Sequence, residues 1–215
     1  MIQVTMASDM MLRPMRVRPH NAALSSQEEA DHRIANHLQM ISALIAVEAR
    51  SVSAPETLTV LKRMEQRIAA VGGVHRQLCT STAWKVDLGD YLETLGEQLM
   101  GSCGSHRHIV VDACTVPAEG ETASAIGILV SELVTNACKH AYAPGDSGSI
   151  FITLRRRADG SYRFTVEDRG TGVGIPEAGS GVGGHLIRAT VVRLGATAKW
   201  ENAQPGTRFI MDFRL

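Results

Sequence analysis

Apolar residues Ile34, Leu38, Ile41 and Ile45 recur at steps of four, three and four, the period of a helix with one packing stripe. Ser26 followed by Glu29 has capping-box spacing and predicts a helix start near Gln27. Ser51 to Pro55 reads as a turn, with Pro55 suited to the first turn of a second helix. There Leu61, Met64, Ile68 and Val71 repeat the spacing, so residues 25–80 are expected to form a helical hairpin. Gly72 and Gly73 are expected to weaken the second helix before Val74 to Leu78 resumes it. Two amphipathic helices bury little apolar surface alone, and pairing of two hairpins into a four-helix bundle is the simplest remedy. Residues 1–24 hold no sustained period and read as a flexible leader.

The pattern changes after a connector at Thr80 to Lys85. Asp87 to about Met100 is expected to be a helix, with Leu88, Leu92 and Leu95 on one side; His108 to Asp112 is a short β-branched strand. Pro117 to Gly120 reads as a loop before a long helix, whose buried stripe is Ile126, Ile128, Leu129, Leu133 and Ala137. Ser149 to Arg155 and Tyr162 to Asp168 form a strand pair around the hairpin signal Asp159-Gly160. A glycine-rich loop from Gly170 to Gly184, a helix over Leu186 to Leu194, and strands Ala196 to Trp200 and Thr207 to Phe213 complete the chain. The expected class is α+β: a helical hairpin followed by a sandwich of helices on a mostly antiparallel mixed sheet over residues 86–215.

The chain has 215 residues, and a hydrophobic content of 44% suffices for a real core. Lys plus Arg and Asp plus Glu both number 22, so no charge excess calls for nucleic acid or an anionic membrane. No apolar run has the length of a membrane span. Cys79, Cys103, Cys114 and Cys138 form no C-x-x-C pair and are expected to be reduced thiols in a cytoplasmic protein.

Candidate chemistry falls in an ordered series. Glu132, Asn136, Lys139 and His140 lie at i, i+4, i+7 and i+8, so one polar helix face carries a carboxylate, a carboxamide and two potential cations. Such a set suits a hydrated divalent metal and phosphate oxygens, although a solvated helix face looks the same. Asp168 ends a strand before Gly170, Gly172 and Gly174, a carboxylate placed to accept from an exocyclic amine. Gly179, Gly181, Gly183 and Gly184 lead into a helix whose exposed amides suit phosphates, and Gly206-Thr207 stands near the end.

In this order the motifs resemble the ATP-binding domain of histidine kinases, the fold shared with gyrase, Hsp90 and MutL. Glu132 to Asn136 resembles the N box, Asp168 to Gly172 the first glycine box, Gly181 to Gly184 the second, and Gly206-Thr207 the closing element. The resemblance implies that ATP and Mg2+ bind, with Asn136 on magnesium and Glu132 near it as a polar or basic group. Lys139 and His140 would contact phosphates, Asp168 the adenine amino group, and Thr207 would help through water. Two departures stand out: Val173-Gly174 lengthen the first glycine box before Ile175-Pro176, and Gly184 replaces the usual leucine of the second.

Asp31-His32-Arg33-Ile34-Ala35-Asn36-His37-Leu38-Gln39 resembles the phosphoacceptor motif of the HWE and HisKA_2 histidine kinases, H-R-x-x-N-x-L-Q. His32, Asn36 and Gln39 share one helix face. A histidine with a pKa of about 6.5 is mostly neutral near pH 7, so a ring nitrogen can attack a γ-phosphoryl group, with Asp31 or Asn36 orienting the ring or taking its other proton. His75 extends the second helix's packing series from Val71, and packing or an interdomain contact is expected of it.

The resemblance implies a cytoplasmic two-component histidine kinase that phosphorylates His32 and passes the group to an aspartate on a response-regulator receiver domain. Its signal is expected to come from a separate sensor protein, because nothing before residue 25 is large enough to sense. A histidine phosphotransferase with the same architecture but no use of ATP is the alternative, and an anti-sigma serine kinase ranks last because it leaves the His32 hairpin unexplained. A homodimer through the hairpin is expected, with a monomer whose leader covers the seam still open.

Overall fold

The structure, a computed structural model, describes residues 20–80, 85–143, 145–171 and 181–215. Helix α1 (His20–Ser51) and helix α2 (Pro55–Thr80) form the expected hairpin. Helix α1 begins well before the predicted start: the capping-box pair Ser26 and Glu29 lies inside it, behind Asn21-Ala22-Ala23-Leu24. Alanine and leucine favour continuing the helix, and their propensity prevails over the cap. The two glycines do not interrupt α2 either. Both are buried, and a Cβ at Gly72 would meet Leu38 of α1, whereas one at Gly73 would meet the Tyr91 ring. They allow two different neighbours to approach one helix.

Strand β1 (Lys85–Asp87) pairs antiparallel with β3 (Pro117–Glu119), so the expected loop before the long helix is a short strand. Asp87 caps helix α3 (Leu88–Cys103), accepting from the amides of Gly89 at 2.8 Å and Asp90 at 3.3 Å. Strand β2 (Arg107–Ala113), helix α4 (Gly120–His140), strands β4 (Gly148–Arg156) and β5 (Tyr162–Asp168), helix α5 (Gly181–Arg193), and strands β6 (Thr197–Asn202) and β7 (Thr207–Phe213) follow. The five-stranded sheet has the order β2-β4-β5-β7-β6, with β2 and β4 parallel and every other pair antiparallel.

Alternation within the strands gives the sheet two unlike faces. Ile150, Ile152, Leu154, Phe164, Val166, Phe209, Met211 and Phe213 are buried under α3, α4 and Ile187 of α5. The other face is polar and is tied by directly opposed pairs, Arg163 with Asp212 at 2.7 and 2.8 Å and Arg208 with Glu167 at 2.7 Å. Asp159 organises the predicted β4–β5 turn by accepting from the amide and hydroxyl of Ser161, and Gly160 takes a φ of +80°.

The hairpin does not stand apart from this sandwich. Ala70, Val74 and Leu78 of α2 belong to the same core as α3 and α4. The Tyr91 hydroxyl donates to the Ala70 carbonyl at 2.9 Å, and its ring fills the space where Gly127 of α4 lacks a Cβ. Burial pushes the Tyr91 phenol pKa up. The second half of α2 thus finds an apolar partner within its own chain.

Cys103 and Cys138 correct the expectation of reduced thiols: they form a disulfide joining the ends of α3 and α4, with Cα atoms 5.7 Å apart. The two helices finish side by side, a proximity that 35 residues of separation conceal in the sequence. Cys114 is a free thiol.

Candidate functional site

Three close approaches gather the predicted motifs. The chain leaving β5 crosses the end of α4 so tightly that a Cβ on Gly170 would overlap the Ala141 carbonyl, and the Thr171 amide donates to that carbonyl at 2.9 Å. The turn before β7 crosses Asp168 with Gly206 at φ +100°, where a Cβ would overlap the Asp168 carbonyl. In the first turn of α5, a Cβ on Gly183 would stand 2.8 Å from the Glu132 carboxylate. Only glycine permits the two backbone contacts, and a side chain at position 183 would displace the Glu132 carboxylate. The three approaches bring the ends of α4 and β5 and the starts of α5 and β7 to one corner.

Asp168 is buried there, and its Oδ1 accepts from the amides of Gly170 at 3.0 Å and Thr207 at 3.3 Å. Among the described residues nothing donates to Oδ2, which leaves an oriented acceptor for an amine of a flat ligand. Thr207 is half-buried beside it, and Gly184 is half-buried in α5 just past Gly181, which opens that helix. Gly172 and Gly174 lie outside the described residues.

Glu132, on the polar face of α4, is 0% exposed. Helix α2 covers it: Arg67 Nε donates to Oε1 at 2.7 Å, Arg63 Nε stands 3.9 Å from Oε2, and Thr135 donates to Gln66 at 2.9 Å one turn along. One helical turn beyond Glu132, Asn136 is half-buried, and Lys139 and His140 are exposed at the end of α4. Partial desolvation against the neighbouring protein lowers the pKa of the Lys139 ammonium, repulsion from Arg63 and Lys62 adds to the shift, and Glu132 opposes it. Asn136 offers one carbonyl oxygen, and among the described residues no cluster of three acidic, histidine or cysteine side chains forms a metal cage. That donor set fits magnesium, which commonly takes few protein ligands and completes its shell from phosphates and water.

On α1, His32 and Asn36 are exposed on one face together with Gln39. Asp31 is buried and turns toward α2, where its Oδ1 lies 2.7 Å from His75 Nδ1. The interaction expected at His75 is thus within the hairpin, and Asp31 braces the two helices beside His32. Arg63 and Arg67 are site residues that sequence reasoning missed. Their signal is a like-charged pair at i, i+4 with Thr59 instead of a carboxylate four residues before Arg63, an arrangement that calls for a counter-charge elsewhere.

Comparison with known proteins matches both halves in order. Residues 29–103 fit the model of the HisKA_2 histidine kinase family, and residues 121–215 fit that of the histidine kinase-, DNA gyrase B- and HSP90-like ATPases. Blue-light-activated histidine kinase 2 of Erythrobacter litoralis is 30% identical over 197 residues, covering 87% of this chain and 56% of that protein. Sensor histidine kinase PdtaS of Mycobacterium tuberculosis is 27% identical over 194 residues, covering 87% and 38%. The chain therefore spans about half, or less, of the length of these curated relatives. The solved histidine kinase domain of the Erythrobacter litoralis blue-light activated kinase EL346 superposes with a TM-score of 0.65 at 29% identity, over 90% of this chain and 96% of that one. Among the described residues no helix is long and apolar enough to cross a membrane. With an HRxxN helix and an Asp168–Thr207 corner on one chain, and with both halves matched in sequence and shape, this chain belongs to the HisKA_2-type histidine kinases.

Proposed function

We propose that this chain is the kinase core of a two-component system, which binds ATP with Mg2+, phosphorylates His32 and passes the phosphoryl group to an aspartate of a response-regulator receiver domain. The carrying observation is the pairing, on one chain, of an exposed His32 with the Asp168 corner and its open acceptor oxygen. Asp168 Oδ2 accepts from the adenine amine, while Gly170 and Gly206 let the chain pack tightly against Ala141 and Asp168 and so hold that carboxylate in place. Asn136 would hold Mg2+, which would supply charge neutralisation on the phosphates, and Lys139 and His140 would face the same anions.

In the transfer, the unprotonated ring nitrogen of His32 forms a bond to the γ-phosphorus as the bond to the bridging oxygen breaks. ADP leaves, and the other ring nitrogen sheds its proton to solvent. A second in-line displacement moves the group from His32 to the receiver carboxylate and regenerates the imidazole. Exposure of His32, Asn36 and Gln39 supports this reading, since a receiver must reach them. A homodimer is supported by the exposed apolar stripe of Ile34, Ile41, Leu44 and Val47 on α1, with Val60 and Met64 on α2. A cytoplasmic location completes the proposal.

Incubation with γ-labelled ATP and Mg2+ tests it. The expected product carries acid-labile, base-stable label that His32→Ala and Asn136→Ala both abolish. An unlabelled wild type that accepts phosphate on His32 from a phosphorylated receiver would instead be a phosphotransferase.

A further inference from the structure

The contact between α2 and α4 leaves a charge pattern that the nucleotide corner does not explain. Arg63, Arg67 and Lys139 gather about a single carboxylate, that of Glu132, and Lys62 adds a further positive charge near Lys139. Arg67 directs its Nε to Glu132 Oε1, yet its Nη2 is shielded from solvent with no hydrogen-bond acceptor among the described residues, and Arg63 Nε, 3.9 Å from the equally unpaired Glu132 Oε2, makes no hydrogen bond either. Guanidinium donors are seldom buried without an acceptor. A polyanion would supply acceptors and balance the excess cations together, and the planar guanidinium matches phosphate geometry. Asn136, half-buried one turn along α4 from Glu132, and the Gly183 turn that abuts the Glu132 carboxylate place this cluster at the phosphate end of the site.

We propose that Arg63 and Arg67 are phosphate-binding residues of the nucleotide site, contributed by the helical hairpin, and that Glu132 is a positioning residue that holds Arg67 by one edge. This assignment rests on the ATP-binding reading above and deepens it. The sheet domain recognises the adenine and α2 grips the phosphates, so the hairpin that bears His32 also holds the donor. Glu132 engaged with Arg67 serves as an anchor for that cation.

Dissociation constants for ATP and for inorganic tripolyphosphate, each with Mg2+, and for adenosine decide the matter, using wild type, Arg63→Gln, Arg67→Gln and Asp168→Asn, with melting curves recorded for each. Arg63→Gln leaves the Arg67–Glu132 pair in place and serves as the variant least exposed to misfolding. The expected result is a loss of roughly ten-fold or more in ATP and tripolyphosphate affinity for each arginine variant, with adenosine unchanged. Asp168→Asn is expected to do the opposite, weakening ATP and adenosine and sparing tripolyphosphate. Unchanged or tighter ATP and tripolyphosphate binding by folded arginine variants, with Asp168→Asn still weakening ATP, overturns the assignment and leaves the nucleotide reading intact; tighter binding would identify the arginines as a plug. A wild type that binds no ATP overturns both.

Discussion

Replacing Arg67 by Met removes the closest counter-charge of a carboxylate that solvent does not reach. The Glu132 side chain is 1% exposed and that of Arg67 23%. Stripping one partner from a buried pair costs about 3–5 kcal/mol, because the remaining charge stays desolvated. Two features reduce the figure here: Arg67 is partly solvated, and Arg63 remains 3.9 Å from Oε2. A loss of about 2–3 kcal/mol follows, equivalent to roughly 5–10 °C in Tm for a chain of this size. Glu132→Met leaves the arginines unbalanced and costs less, since both reach some water. The double variant replaces the pair by apolar side chains of similar length and is expected within about 1 kcal/mol of wild type. Urea unfolding of all four proteins at neutral pH completes the cycle, with an expected coupling of about 1.5 kcal/mol or more. Additive effects, with Arg67→Met below about 0.5 kcal/mol, would refute a sealed Glu132 held by α2.

Four other outcomes can be measured. Gly127→Ala drives a methyl group into Tyr91 and is expected to cost at least about 2 kcal/mol, partly restored by Tyr91→Leu, in thermal melts. Reducing the Cys103–Cys138 bridge opens a loop of 35 residues and should lower stability by about 3–4 kcal/mol on the chain-entropy model, while non-reducing peptide mapping should recover the linked pair. The Asp212 carboxyl is held below the usual carboxylate range, first by its hydrogen bond from Arg163 and then by the Arg163 and Arg157 charges. Its stabilisation is therefore complete above the unfolded pKa of about 3.9 and fades as pH falls through the lower folded value; Asp212→Asn should flatten that acid limb of the Tm profile. Leu44→Glu on the exposed α1 stripe should shift the chain from dimer to monomer in light scattering with little change in Tm.

Strand pairing was the most legible part of the fold. The ends of β5 and β7 fall where alternation begins and stops, and Asp159-Gly160 marks the turn, because a half-buried strand writes its two faces into consecutive residues. The glycines were legible as motifs, and only the structure reveals what each admits: Ala141 at Gly170, Asp168 at Gly206, Glu132 at Gly183. The burial of Glu132 was not legible, since helical periodicity reports a polar face and is silent on what covers it. The cover comes from arginines 65 and 69 positions earlier, with no local trace of the pairing. The Cys103–Cys138 bridge was hidden for the same reason.

Gly72 and Gly73 give α2 a mechanical character. They are the point where α1 presses on one side through Leu38 and α3 on the other through Tyr91, which makes them a natural fulcrum. Arg63 lies nine residues along the arm, about 13 Å from that fulcrum at the helical rise. A change in tilt of about 10° would carry it roughly 2 Å, and hydrogen bonds do not survive such a displacement. A small torque on the outer end of the hairpin is thus geared directly to the grip on Glu132 and whatever anion lies beside it.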